Sequence, residues 1–448
     1  MYYKIIEKLN DKHIAILGFG REGKSTYLFI KKYCKNTKVT IIDYKDVRND
    51  FYNEFNDEVE FITGEDYLNN LEKYDLIIKS PGISLKDIDI STFETKISSQ
   101  VELLLEVYRD NCIGITGTKG KSTTSSLIYQ ILKDQGKDAY LVGNIGAPVF
   151  DNIENYSNET TIVIELSSHQ LEFLNVSPHI GIVLNLFEDH LDHAGTLYHY
   201  HQIKLNMFRN QKSNDIGIYN FDNDYLKKYI SEKKFKSKLL SVSLMEKKDT
   251  YKENDIVYFE NKFLYDLNTP RLLLGEHNTT NIVFSLIIAS LMNLDIEKAI
   301  HSVSTFKPLD YRIQYVGNYN DIIFYVDTLA TIPEATIKSI DALGEVDTLI
   351  FGGMDRGIDY KILIDYLNNS RINNLICMPS TGNKIGKEIT NKNIYYISQL
   401  EEAVKKAKEI TAKNKICLLS PAAPSYEYFK NYAEKAEAFI EYVKSSNN

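Results

Sequence analysis

Cys112-Ile-Gly-Ile-Thr-Gly-Thr-Lys-Gly-Lys-Ser-Thr-Thr124 decides how the rest of this chain is read. A short β-forming run at 112–115 enters a turn with glycines at 117 and 120. Lys121, Ser122 and Thr123 follow, and then a helix-forming run at 125–132. Glycines in such a turn let backbone N–H groups face one anion, and the new helix points its positive end at the same place. Lys121 can reach outer phosphates, and the Ser122 hydroxyl can hold Mg²⁺. The local form G-T-K-G-K-S-T is tighter than the general G-x-x-x-x-G-K-[ST] loop. ATP is the expected ligand, on Gly117, Thr118, Lys119, Gly120, Lys121, Ser122 and Thr123.

Strand–loop–helix alternation extends on both sides, which predicts an α/β protein. Upstream, a strand at 13–17 leads into Gly18-Phe-Gly-Arg-Glu-Gly-Lys-Ser25, and a second strand at 39–42 ends at Asp43. This G-x-G-x-x-G with an acid about twenty residues on is the signature of a dinucleotide-type fold. A third strand at 76–79 precedes Ser80-Pro-Gly-Ile-Ser84. Downstream, strands are expected at 139–142, 161–164, 180–184 and 216–219, and a buried helix at 280–292. The Lys-rich stretch 225–270 reads as hairpins or a surface insertion. A third segment begins near Lys307-Pro308, with strands at 322–326, 348–351, 374–377 and 416–419 and a closing helix at 428–444.

A length of 448 residues calls for more than one domain. The formal net charge of −9 argues against a nucleic-acid binder, so an anionic ligand must be met by local positive groups. Cys34, Cys112, Cys377 and Cys417 are far apart and lack metal-ligand spacing, as expected of reduced core thiols. No apolar run approaches a membrane span, and the first residues lack a signal-peptide core. The cytoplasm is the expected compartment, and a monomer the expected state.

Other tracts can be grouped around ATP. Ile164-Glu-Leu-Ser-Ser-His-Gln-Leu171 puts Glu165 at the carboxyl end of a buried strand, where it can hold Mg²⁺ or cap a helix. Asn185-Leu-Phe-Glu-Asp-His-Leu-Asp-His193 offers acids and histidines that suit Mg²⁺ or a transition metal, while His193, His199 and His201 read as surface residues. Lys204 lies on an expected helix at 200–208, Asp327 at a strand end and Arg312 in the linker before it. Gly275-Glu-His-Asn-Thr-Thr-Asn281 opens a helix.

In this order, G-T-K-G-K-S-T-T (117–124), G-N-I-G (143–146), E-L-S-S-H-Q-L-E (165–172), E-D-H-L-D-H (188–193), G-E-H-N-T-T-N (275–281) and L-L-S-P-A-A-P-S (418–425) resemble the Mur ligases. These are ATP-dependent amide-forming enzymes of peptidoglycan synthesis. The likeness spans nearly the whole chain. It is strongest to the branch that joins glutamate to UDP-N-acetylmuramoyl-L-alanine, on the compact first segment and the S-P-G-I and S-P-A tracts. The resemblance implies a Rossmann-like domain for the uridine nucleotide at 1–107 and a central P-loop ATPase domain with a mainly parallel sheet at 108–306. A dinucleotide-binding-like domain for the amino acid follows at 307–448. It assigns uracil and ribose to Gly20, Arg21 and Asp43, and the diphosphate to Ser80, Pro81, Gly82 and Asn144. ATP would also meet Asn278, Asn281, Arg312 and Asp327. Two Mg²⁺ ions would be held by Ser122, Glu165, His190 and a carbamylated Lys204. Lys121, His190 and Lys204 would be the catalytic group.

The acceptor pocket departs from the family pattern. Leu329 stands where the D-S-K-A-T-N tract carries lysine, and Arg356 replaces a second lysine after Gly352-Gly. Thr331, Arg356, Ser425 and Tyr432 are the expected acceptor contacts. D-Glutamate is the expected acceptor; L-glutamate or another amino acid is the variant these changes leave open. A folylpolyglutamate-synthase-like ligase is a second reading, opposed by the segment ahead of the phosphate loop. A dehydrogenase would rest on the first glycine motif alone, and an inactive nucleotide-binding relative is the remaining reading.

Overall fold

The computed structural model describes residues 1–189, 195–307, 310–425 and 428–445. The chain falls into two compact units. One holds residues 1–187, 193–268 and 283–302, the other 188–192, 269–282 and 303–448.

The first unit carries two sheets. In the first are β1 (His13–Leu17), β2 (Lys38–Asp43), β3 (Glu60–Thr63), β4 (Leu76–Lys79) and β5 (Ile97–Ser98), ordered β3-β2-β1-β4-β5. All pairings are parallel. This is the order of a doubly-wound dinucleotide-type sheet without its sixth strand, and in such sheets the ligand crevice lies beyond the carboxyl ends of the strands. The second sheet holds β6 (Cys112–Thr116), β7 (Ala139–Gly143), β8 (Thr161–Glu165), β9 (Ile180–Val183), β10 (Ile216–Asn220), β11 (Lys238–Val242), β12 (Thr250–Glu253), β13 (Ile256–Phe259) and β14 (Lys262–Asp266). Its order is β14-β13-β12-β11-β10-β9-β6-β8-β7. The stretch read as hairpins or an insertion does contain hairpins, β12-β13-β14, antiparallel to one another. They continue the central sheet through β11, which pairs parallel with β10. The two sheets share one apolar core that runs from Ile5 and Phe29 to Phe150 and Phe208.

Three Ile-Gly-Ile tripeptides lie in register across β6, β9 and β10, with Gly114 beside Gly181 and Gly181 beside Gly217. A Cβ at Gly114 would meet Pro178 at 2.5 Å and the Met207 sulfur at 3.1 Å. At Gly181 it would meet Met207 at 2.9 Å, and at Gly217 Leu239 at 2.4 Å and Phe208 at 3.0 Å. The missing side chains form a trough that admits Met207 and Phe208, both fully buried. The helix expected at 200–208 is two pieces, Leu197–Lys204 and Asn206–Arg209. The second piece sits in the trough, and the first presents His201 and Lys204.

The second unit carries β15 (Gln314–Tyr319), β16 (Ile322–Val326), β17 (Val346–Phe351), β18 (Asn374–Cys377), β19 (Asn393–Tyr396) and β20 (Ile416–Leu419), ordered β15-β16-β20-β17-β18-β19. Only β15 is antiparallel. The closing helix is Tyr432–Lys444, shorter than expected at its start, with Asn431 as its side-chain cap. Among the described residues, no helix is long and apolar enough to cross a membrane. All four cysteines are free and buried.

Candidate active site

β6 is buried along its whole length and ends in the glycine turn. Gly117 has φ +150°, and a Cβ there would meet Leu184 at 3.0 Å and the Asn185 nitrogen at 3.2 Å. Gly120, at φ +88°, precedes the helix Lys121–Asp134. Asn185 fastens this turn: its carbonyl accepts from Thr118 N (3.0 Å) and its side-chain oxygen from Lys119 N (2.8 Å). Its amide nitrogen donates back to Lys119 O (2.9 Å). Asn185 opens the tract of acids and histidines at 185–193, and nothing local in the sequence marks this role. Only the pairing of β6 with β9 brings it to the loop. Lys121 Nζ donates to the carbonyls of Gly117 (3.0 Å) and Thr118 (3.1 Å), folded over its own turn.

Glu165 is 1% exposed at the end of β8, the neighbour of β6. Asn144 Nδ2 donates to its Oε1 at 2.6 Å, whereas Oε2 is buried with no hydrogen-bond partner among the described residues. The hydroxyl of Thr123, on the first turn of the loop helix, is likewise buried and unmatched. Such oxygens are costly unless a ligand completes them. A carboxylate and hydroxyls beside a glycine turn are the oxygen donors a hard cation takes, so this set fits Mg²⁺ bound with a phosphate. The helix Ser168–Leu171 is capped by Ser167 and Gln170, so the alternative of Glu165 as its cap does not hold.

Lys204 is 1% exposed at the end of its helix, with Nζ 4.8 Å from the Tyr200 ring centre. His201 corrects the surface reading. It is fully buried, 3.4 Å from the Tyr229 hydroxyl and 3.3 Å from the Phe187 carbonyl. Burial pushes its imidazole down to about 4, and Lys204 adds to the effect. His199 is exposed, as expected. His190, Asp192 and His193 lie outside the described residues.

The residues expected to hold the uridine nucleotide, Gly20, Arg21, Asp43, Ser80, Pro81, Gly82 and Asn144, line one cavity of about 350 Å³ in the first unit. Asp43 stands at the end of β2 and accepts from Phe19 N (2.8 Å) and Lys45 N (2.9 Å). Ser80 donates to Gly18 O (2.8 Å), and a Cβ on Gly18 would strike Ser80 at 2.9 Å. Arg21 reaches the Gly146 carbonyl (2.5 Å), fastening the first glycine loop to the G-N-I-G turn. Glu22, which the glycine motif does not mark, also lines this cavity. Burial pushes its carboxyl up to about 7, against the opposing pull of Gln170, Arg21 and Lys79.

In the second unit, Asn281 donates to the Asn278 side chain (2.9 Å), and Asn278 to Leu274 O (2.6 Å). Arg312 buries an Nε with no partner among the described residues. Asp327 is buried just past β16 and accepts from Ser339. Arg356 pairs with Asp189 at 3.0 Å, and Asp189 is 3% exposed. Ser425 is buried with an unmatched hydroxyl among the described residues. Thr331 is half-buried in the segment after β16. Tyr432 is 43% exposed with its ring edge-on to Tyr311.

Residues 12–101 match the family model described as Mur ligase MurD-like, N-terminal domain. Residues 115–289 match Mur ligase middle domain, and 311–423 match Mur ligase, glutamate ligase domain. The chain is 31% identical to the UDP-N-acetylmuramoylalanine–D-glutamate ligase of Clostridioides difficile, over 98% of this chain and 99% of the relative. The chain belongs to the Mur ligase family. A Staphylococcus haemolyticus ligase of the same name is 32% identical, over 97% of each chain. The fold is that of the MurF ligase from Thermotoga maritima solved in complex with ADP (TM-score 0.60, 15% identity, 98% and 95% covered). The match at 12–101 tells against the folylpolyglutamate-synthase-like and dehydrogenase readings, since it gives the first sheet to a Mur ligase.

Proposed function

We propose that this ligase joins D-glutamate to UDP-N-acetylmuramoyl-L-alanine at the expense of ATP, releasing ADP and phosphate, in peptidoglycan precursor synthesis. One observation carries the reading. Every residue assigned to the nucleotide sugar lines a single cavity, and one of them, Asn144, bonds the carboxylate assigned to the metal. The alanyl carboxylate attacks the γ-phosphorus of ATP, and the glutamate amine then displaces phosphate from the acyl phosphate. Positioning and charge neutralisation dominate such a reaction. Gly117, Thr118, Lys119, Gly120, Lys121, Ser122 and Thr123 are proposed to cradle the triphosphate, with the Lys121 ammonium and the helix N-terminus as the positive groups, since the Thr118 and Lys119 N–H groups are spent on Asn185. Asn278, Asn281, Arg312 and Asp327 are the further proposed ATP contacts. Two Mg²⁺ ions, on Ser122 and Glu165 and on His190 and carbamylated Lys204, supply positive charge against the phosphates when bound. Asp43, with Gly20 and Arg21, takes uracil and ribose; Ser80, Pro81, Gly82 and Asn144 take the diphosphate.

Thr331, Arg356, Ser425 and Tyr432 are proposed to receive the acceptor. Arg356 keeps donors beyond the one spent on Asp189, so it can grip a side-chain carboxylate where the family has lysine. The division of labour follows 1–107, 108–306 and 307–448, in a cytoplasmic monomer. Phosphate release with UDP-N-acetylmuramoyl-L-alanine and an amino-acid panel tests the reading. Release with D-glutamate is expected, and release with L-glutamate alone would transfer the chain to the variant acceptor. Silence from folded protein would reject catalysis. Lys204→Ala is expected to lose about 10- to 100-fold in turnover. Short carboxylic acids should restore part of it, and an unchanged rate would remove the carbamate.

A further inference from the structure

Asn144 faces two ways. It is exposed on the wall of the nucleotide cavity, yet its amide is bonded to the buried Glu165 carboxylate at 2.6 Å. Its backbone N–H also donates to the Glu165 carbonyl at 3.0 Å. The turn that carries it is tightly held. Gly143 has φ +100°, and a Cβ there would lie 2.4 Å from the Glu165 carbonyl oxygen. A Cβ on Gly146 would lie 2.3 Å from Leu141 O, and Arg21 bonds the Gly146 carbonyl from the first glycine loop.

We propose that Asn144 is a positioning residue that couples the two ligands: filling the cavity with a diphosphate tightens the divalent cation on Glu165, and the cation tightens the diphosphate. The inference rests on the function proposed above for the cavity and for Glu165. An amide nitrogen carries two N–H groups. One holds Glu165 Oε1 and so orients Oε2, the buried oxygen with no partner among the described residues. The other, with the amide carbonyl, remains for the cavity's occupant. A diphosphate oxygen on that second N–H locks the amide rotamer, which fixes the carboxylate in its cation-binding pose without any competing demand. Thermodynamic reciprocity requires the cation to return the same factor to the diphosphate.

The test uses the full chain with a non-hydrolysable ATP analogue. Mn²⁺ binding is followed by the EPR signal of the free ion, with and without saturating UDP, corrected for Mn²⁺ held by UDP in solution. UDP binding is followed by calorimetry with and without Mn²⁺. In the unaltered protein UDP should tighten Mn²⁺ about fivefold or more, and Mn²⁺ should tighten UDP by the same factor. In Asn144→Ala, Mn²⁺ without UDP should weaken about tenfold and the UDP effect should vanish. UDP binding that leaves Mn²⁺ affinity unmoved in the unaltered protein overturns the inference even if Asn144→Ala does not fold. So does an Asn144→Ala variant that keeps the full factor. Failure of UDP to bind the unaltered protein would instead overturn the cavity reading, and the inference with it.

Discussion

The glycine turns at 18–23 and 117–120 share a backbone plan but offer opposite charges. Each leaves a buried parallel strand, bends through a glycine at positive φ and opens a helix whose N-terminus faces the ligand side. In the first, Asp43 consumes the Phe19 N–H, Arg21 is drawn to the Gly146 carbonyl, and Glu22 stands in the wall. In the second, a neutral side chain, Asn185, braces the turn, and Lys121 lies over it. A strand-end carboxylate suits sugar hydroxyls, whereas an ammonium over a glycine turn that opens a helix suits phosphate. The turn supplies the anion-facing backbone in both places. Flanking side chains give each turn its own charge, and with it the nucleotide proposed for it.

The largest expected effect separates the two turns outright. Lys121→Ala should lower phosphate release by about two to three orders of magnitude while UDP affinity stays unchanged. A joint loss of UDP binding would mean that the turns are not independent. Asp43→Ala should act in reverse, weakening UDP by about tenfold with ATP-analogue binding intact. Calorimetry on both ligands decides it. The smallest effect sharpens the electrostatic contrast. With its carboxyl held near 7 instead of 4.5, Glu22 keeps its proton in the folded protein through the window between those values. Its contribution to stability is present below 4.5 and is lost as pH rises through 7. A charged Glu22 also repels a diphosphate, so UDP affinity should fall about three- to tenfold from pH 6 to pH 8. Glu22→Gln should flatten that slope, and an unchanged slope in the variant would assign it elsewhere.

The phosphate turn was legible because its parts are contiguous: strand, glycines, lysine and hydroxyls lie within one short stretch. The strands at 13–17, 76–79, 322–326, 374–377 and 416–419 were legible for a related reason. Strands buried along most of their length read as short apolar runs whatever their neighbours, and β16, half-buried on one face, still does. Edge strands were legible only in part: β7, at the end of the central sheet, is the strand expected at 139–142, whereas three others gave no sign. β3, β15 and β19 are half-exposed and mix polar with apolar residues, so they lack that signal. Asn185 and Glu22 were missed because each acts on a segment distant in sequence. His201 looked like one more polar residue in a run of them. What buries it is distant in sequence: the Tyr225 and Tyr229 rings and the Phe187 carbonyl close around the imidazole.

The amino-acid sequence alone determined the family and the α/β alternation, because those follow from local runs and short spacings, and it supplied the groups proposed to face the nucleotides. Tertiary structure alone decided how they are wired: Asn144 on Glu165, Asn185 on the phosphate turn, Arg356 on Asp189. A hydrogen bond between strand ends depends on sheet order and register, and these are set by how apolar faces and glycine gaps pack, which no single stretch of chain contains.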